Sequence, residues 1–262
     1  MKYSYKMNQQ LINNLSFYIK EKKELSGLAD FIVQDALKLY LKKNKIEKHN
    51  FSEKEEKIII KEVRNNLRKM AGRFQKDSEE YYLSDKIDIN SILSKHTSTK
   101  ERLEYYPLLR EKINSLNIKS ILDLGCGLNP IALASSSLKY YALDINEADL
   151  EIVRKYFMLK KIPGNVFTYD LRNINNSLPK SDLCLIFKVF DVIETRGHKL
   201  AEKIIKTVDC NFFLISFSTK TLSGKPMNHP QRGWIEQLLK RLNYKYESFK
   251  TKNEIFYLIK KS

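Results

Sequence analysis

Between Ile121 and Leu133 the chain reads ILDLGCGLNPIAL, and this stretch restricts the fold more than any other. Ile121, Leu122 and Leu124 read as a short apolar strand, Gly125 and Gly127 as the turn after it, and Pro130 as the opening of a helix. Strand, glycine turn and helix N-terminus in that order form a cradle for a nucleotide-type cofactor. Glycines let the backbone approach a ligand closely and take angles that a Cβ forbids. The plain alternative is a tight strand-to-helix turn in some α/β protein. The next strand, within YYALDIN, ends in Asp144, about 20 residues after the glycines, where an acid accepts hydrogen bonds from ribose hydroxyls.

A dinucleotide fingerprint needs a third glycine, so that helix and strand pack beside a pyrophosphate. Leu128, Asn129 and Pro130 stand there instead, and Asp123 would bring negative charge next to that pyrophosphate. S-adenosylmethionine, with its sulfonium and ammonium charges, suits Asp123-x-Gly125-x-Gly127 better. This turn, with Asn129, and the second strand end, Asp144 and Ile145, are therefore assigned to the cofactor. So is the third strand end, Asp170 and Leu171, where such enzymes contact the adenine amino group; the alternative for Asp170 is a simple turn cap.

Strands are expected at 120–124, 140–144, 165–169, 182–187 and 211–217, with helical patterns between them such as 148–160 and 195–208. A helix near 231–242 leads to two closing strands, 244–251 and 254–259. Such alternation gives a mainly parallel sheet covered on both faces, here with an antiparallel edge hairpin. The fold class is α/β, Rossmann-like. Trp234 is expected to pack its helix on the sheet rather than stack on a base.

Before this, apolar residues recur at three and four through LINNLSFYIK and LADFIVQDALKLYL, so an all-helical domain precedes the sheet. The division is placed at 1–95 and 96–262. Ser52 and Glu55 make a capping box for a helix from 53 to about 74. Along it Lys57, Lys61, Arg64 and Arg68 share one face, with Lys69 and Arg73 alongside. That stripe lies along phosphates or is an ordinary solvated face paired with Glu53 and Glu56. Thr97, Ser98 or Thr99 is expected to cap the helix carrying Glu101 and Arg102.

The net charge of +16 favours a polyanionic partner, nucleic acid first. It is not confined to a tail: residues 1–119 hold 25 basic and 17 acidic groups, the remainder 22 and 14, so each part is +8. Cys126, Cys184 and Cys210 lack metal-ligand spacing and read as reduced thiols of a cytoplasmic protein. No metal site is expected. The longest apolar runs are strand-sized, so no membrane span is expected either.

HTSTKER, ILDLGCGLNPIAL, FKVFDVIE and ISFSTKTLSGK occur in matching order and spacing and together resemble the aminoglycoside-resistance 16S rRNA methyltransferases of the Arm/Rmt type. The segment VRNNLRKMAGRF resembles the end of that family's helical domain, so the similarity covers roughly residues 30–224. It implies S-adenosylmethionine-dependent methylation of guanine N7 in the decoding site of the small ribosomal subunit; a monomer is expected. It also implies that His96 and Arg102 border the cofactor, Arg102 on its carboxylate, and that the basic stripe docks on rRNA with Lys220 and Lys225. Lys188, emerging after the apolar run LCLIF, is the expected catalytic residue, positioning the target rather than acting as a base. The family usually has proline where this chain has Asp191 and Ser218. Other readings are a methyltransferase for another rRNA or tRNA base, and a ribosome-assembly factor that binds RNA without turnover.

Overall fold

The computed structural model describes residues 9–46, 50–71, 88–175, 177–194, 197–221, 225–228 and 230–261. Its N-terminal part is α1 (Gln9–Lys20), the single turn α2 (Lys23–Ser26), α3 (Asp30–Lys43) and α4 (Glu53–Met70). The expected capping box starts α4: the Ser52 side chain accepts from the Glu55 amide while Glu55 accepts from the Ser52 amide at 2.9 Å. Ile59, Val63 and Leu67 recur at one helical face and are buried against Ile12, Leu15, Ile32, Val33 and Leu37. Each such side chain contributes about 1.5–3 kcal/mol by leaving water. The helix was expected to reach residue 74; it is described to Met70.

Helices α5 (Ile89–Lys95), α6 (Thr97–Arg102) and α7 (Tyr106–Ser115) lead to the sheet. Ile92 and Leu93 of α5 pack with Tyr106 and Leu109 in a core shared with the sheet, not with the N-terminal helices. None of Thr97, Ser98 and Thr99 caps α6. The helix opens at Thr97 with His96 in the cap position, and Thr99 Oγ1 instead donates to the Leu93 and His96 carbonyls at 2.6 and 3.1 Å.

Strands β1 (Ser120–Leu124), β2 (Lys139–Asp144), β3 (Gly164–Thr168), β4 (Ser181–Phe187) and β5 (Cys210–Ser218) run parallel. Next to β5 lies β7 (Glu254–Lys260), antiparallel, and β6 (Lys245–Lys250) closes the edge, giving the order β3-β2-β1-β4-β5-β7-β6. Central β4 is an apolar run because it is covered on both faces; edge β6, KYESFK, keeps charge toward solvent. The crossovers are α8 (Asn129–Leu133), α9 (Glu147–Lys160), α10 (Phe190–Ile193) with α11 (Lys199–Thr207), and α12 (Gly233–Arg241). The sheet thus separates two apolar cores. Where one helix was expected over 195–208, α10 is a separate turn and α11 starts at Lys199. Trp234 lies edge-on to Phe190 and Phe217, as expected, and also stacks on His198 at 4.0 Å.

The helical domain is hydrogen-bonded into the sheet. Ala29 N donates to Ile145 O at 3.1 Å and Ala148 N to Gly27 O at 3.2 Å, both immediately after the carboxyl end of β2. All three cysteines are buried and free. Among the described residues no helix is long and apolar enough to cross a membrane.

Candidate cofactor and methyl-transfer site

At the carboxyl ends of β1, β2 and β4 lies an open cleft. Its lining includes His96, Arg102, Gly125, Gly127, Asn129, Asp144, Ile145, Asp170, Leu171 and Lys188, all singled out from sequence.

The turn after β1 is held by backbone. The Gly125 and Cys126 amides both donate to Leu143 O, at 2.8 and 2.9 Å. Gly125 has φ +71°, and a Cβ on it would fall 2.4 Å from Val189 Cγ2. A side chain is therefore barred both by conformation and by the neighbouring wall. At the end of β2 the Asp144 carboxylate accepts from the Gly127 amide at 2.8 Å and from the Asn146 amide at 2.9 Å. Both oxygens keep lone pairs for further donors. Burial pushes the Asp144 carboxyl up from its ordinary value, with the amides acting against it. His96 lies over Gly127, its Cε1 3.2 Å from where a Cβ would stand, and faces Asp149 at 4.0 Å. Burial, with Arg102 and Lys188 nearby, lowers its pKa to about 3, so the ring is neutral.

Asp123 requires a correction. It is fully buried behind the turn and absent from the cleft lining, with its carboxylate taking the Tyr140 hydroxyl at 2.7 Å. Burial raises its pKa to about 7. Arg102 and Asn129, which do line the cleft, act against that rise, so Asp123 backs the ligand side from one layer beneath. For Asp170 the cap reading holds, since it accepts from the Arg172 amide at 2.9 Å, yet it also lines the cleft. Its carboxylate is gripped by the Arg172 guanidinium at 2.6–3.0 Å, so an adenine amino group there shares an acceptor already matched in charge.

Opposite, the wall is made of charges. Arg102 is buried with Nε 2.8 Å from Glu254, Nη1 donating to Asn129 Oδ1 at 3.0 Å, and its guanidinium carbon 4.9 Å from the Phe187 ring centre. Its Nη2 has no hydrogen-bond partner among the described residues. Lys188 leaves β4 with φ +59°, a conformation uncommon for residues with a side chain, fixed by its amide on Ser216 O at 2.9 Å. Its ammonium donates to Glu101 and stands 3.4 Å from Glu254. Ser216 Oγ donates to Glu254 at 2.6 Å. Two cations and two carboxylates thus balance, so Lys188 does not bring an uncompensated charge to the cleft.

The basic stripe divides. Arg64 turns inward, donating to the carbonyls of Tyr18 and Ile19 at the end of α1, and Arg68 pairs with Glu24 at 2.7 Å. Both tie α4 to its neighbours and are corrected from phosphate contacts to structural ones. Lys57, paired loosely with Glu53 at 3.8 Å, and Lys61 and Lys69 stay exposed. Arg73 lies outside the described residues. Lys220 is half-buried and Lys225 exposed, on two segments bridged between Lys220 and Pro226.

Sequence reasoning missed Glu101, Glu254, Arg172, Met70 and Val189. Glu254 carried a signal, because an acid opening the apolar strand EIFYLI demands a buried cation. Arg172 Nη1 reaches Met70 Sδ at 3.2 Å, so the end of α4 walls the cleft. Nothing in the sequence marked that pairing.

The cradle closed to any Cβ, the amide-held Asp144 and the free Arg102 Nη2 fit the ribose and carboxylate of S-adenosylmethionine. Fold and cleft define a Rossmann-like, S-adenosylmethionine-dependent methyltransferase. The profile of the ribosomal RNA methyltransferase (FmrO) family matches residues 83–258, and the chain belongs to that family. A 16S rRNA (guanine(1405)-N(7))-methyltransferase of Serratia marcescens is 31% identical over 182 residues, 67% of this chain and 71% of that protein. One of Proteus mirabilis is 28% identical over 141 residues, 51% of this chain and 50% of its own length. Two solved structures share the fold over 98% of this chain and 100% of theirs. These are the 16S rRNA methylase RmtB (TM-score 0.73, 23% identity) and the 16S rRNA methyltransferase RmtF with S-adenosyl-L-homocysteine (0.76, 18%).

Proposed function

We propose that this enzyme methylates N7 of a guanine in 16S rRNA within the small ribosomal subunit, as a cytoplasmic monomer, and thereby protects the ribosome from aminoglycosides. The observation carrying this reading is the single cleft in which an amide-held acid, a Cβ-free cradle and a charge-balanced lysine meet, in a chain of this family. S-adenosylmethionine, when bound, supplies an electrophilic methyl group. Gly125, Gly127, Asp144, Ile145, Asp170 and Leu171 would hold its nucleoside, and His96, Arg102 and Asn129 its amino-acid end.

Guanine N7 offers a lone pair in the plane of the ring, so the chain need supply no base to free it. The residues agree with that economy. His96 is neutral but set over the glycine turn, and the sequence has no Asn/Asp-Pro-Pro-aromatic loop of the kind used on exocyclic amines. The buried cysteines are held as thiols, because burial raises the pKa of all three. What remains for the protein is orientation. Lys188, fixed at the end of β4, would hold the guanine edge or its phosphate in line with the methyl donor.

The RNA-docking unit would be the helical domain, presenting Lys57, Lys61 and Lys69, while Lys220 and Lys225 approach from the sheet side. Its boundary was expected at residue 95; the packing of Ile92 and Leu93 favours counting α5 with the catalytic unit. Purified protein with labelled S-adenosylmethionine should transfer label to small subunits, at a guanine whose N7 methylation makes the chain scissile by aniline after borohydride reduction. Label on naked rRNA or tRNA but not subunits would replace the substrate. No label on any RNA, with cofactor bound, would support the assembly-factor reading.

A further inference from the structure

We propose that Asp191, the Ser218 amide and Arg232 form a clamp that positions one wall of the cleft against the target nucleotide. The inference rests on the rRNA methylation reading above.

Asp191 sits on α10, a helix of four residues with no side-chain cap at its start. One turn is unstable on its own, because nucleation fixes several residues for a single hydrogen bond. Yet this turn is a wall: Val189, Val192 and Ile193 line the cleft, directly after Lys188. Something outside the turn must hold it, and Asp191, which is absent from the lining, does so. Its Oδ2 accepts from the Ser218 amide at 2.7 Å and its Oδ1 from Arg232 Nη2 at 3.1 Å.

Arg232 extends the hold. The same Nη2 donates to Ser218 O at 3.0 Å, Nη1 donates to Pro230 O at 2.9 Å, and the guanidinium lies 5.5 Å from the Phe217 ring centre. Only 15% of its side chain is exposed. Three segments therefore meet at one guanidinium: α10, the end of β5, and the approach to α12. From β5 the chain continues into residues 219–221, which pair with 225–227 through Met227 N on Thr219 O at 2.9 Å and Thr221 N on Lys225 O at 2.8 Å. Lys220 and Lys225 ride on that pair. The clamp thus sets the distance between the methyl-side wall and a cationic rim, which is what a nucleotide bridging base pocket and phosphate contacts would feel. A misplacement of about 1 Å can cost 10²-fold in rate without touching the reacting atoms.

Asp191→Ala and Arg232→Ala should each lower single-turnover methylation of small subunits by about tenfold or more. S-adenosylhomocysteine affinity by calorimetry should stay within twofold, since neither residue lines the cofactor half. The double variant should be little worse than Arg232→Ala, because the two act as one unit. Arg232→Lys, which keeps a cationic donor, should recover part of the rate. Wild-type rates in a folded Asp191→Ala protein, additive losses in the double variant, or a rate loss tracking lost cofactor affinity or melting temperature would each overturn the clamp. Wild type that methylates no RNA would instead overturn the reading on which the clamp rests.

Discussion

The two walls of the cleft are made in different ways. On the cofactor side the decisive contacts are short in sequence and use backbone: Gly125, Cys126 and Gly127 amides reach Leu143 and Asp144, the last pair 17 residues apart. The opposite wall is built of side-chain charges gathered from distant elements. Lys188 meets Glu101 across 87 residues, Arg102 of α6 meets Glu254 of β7, and Asp191 meets Arg232 across 41. A backbone cradle is indifferent to most side-chain changes, provided its glycines stay. A charge-built wall fails one residue at a time, because removing one ion strands its partner in low dielectric.

The largest effect should follow from Glu254. It is fully buried and faces both Arg102 and Lys188 while accepting from Ser216. Glu254→Ala should destabilise the fold by about 3–5 kcal/mol in denaturant titration, as breaking buried pairs does. Glu101→Gln, on a half-exposed partner, should cost far less. Equal costs for the two would erase the contrast between a load held in the core and one held at the cleft mouth.

Lys188→Ala comes next and sharpens the division of labour. Turnover on small subunits should fall by about 10²-fold, the scale for removing a positioned electrostatic group. Cofactor affinity should stay equal or tighten, because the cleft then keeps Glu101 and Glu254 against Arg102 alone and a cationic ligand gains. Loss of cofactor binding with turnover per bound complex intact would move Lys188 to the other wall.

The same contrast explains what could be read from sequence. The sheet, its edge hairpin, the capping box at Ser52 and the glycine cradle rest on periodicity and local turn chemistry, and each was legible within a few residues. Asp123 was expected on the cofactor but lies beneath the lining, because a motif gives residue order and not depth behind the cleft. The stripe on α4 misled for a related reason. Helical spacing puts Arg64 and Arg68 in line with Lys57 and Lys61, but α1 and α2 cover only the C-terminal half of that face. Arg232 on Asp191 was illegible, since no local pattern says which distant acid an arginine will find.

The smallest effect belongs to the cofactor wall. Asp144→Ala should weaken S-adenosylmethionine binding by about 1.5–3 kcal/mol, the range for hydrogen bonds to a charged group. Part of that loss is indirect. The carboxylate also accepts the Gly127 and Asn146 amides, so the variant leaves the turn's own donors without their acceptor. Asp144→Asn keeps one carbonyl oxygen for an amide and should fall between wild type and alanine. Calorimetry with S-adenosylhomocysteine separates the contributions: if asparagine binds as weakly as alanine, the ribose contact dominates, and if it binds like wild type, the turn dominates. In either case the fold should lose little stability, because the Gly125 and Cys126 amides still close the turn on Leu143. A loss of stability approaching that of Glu254→Ala would mean that the two walls are built alike after all.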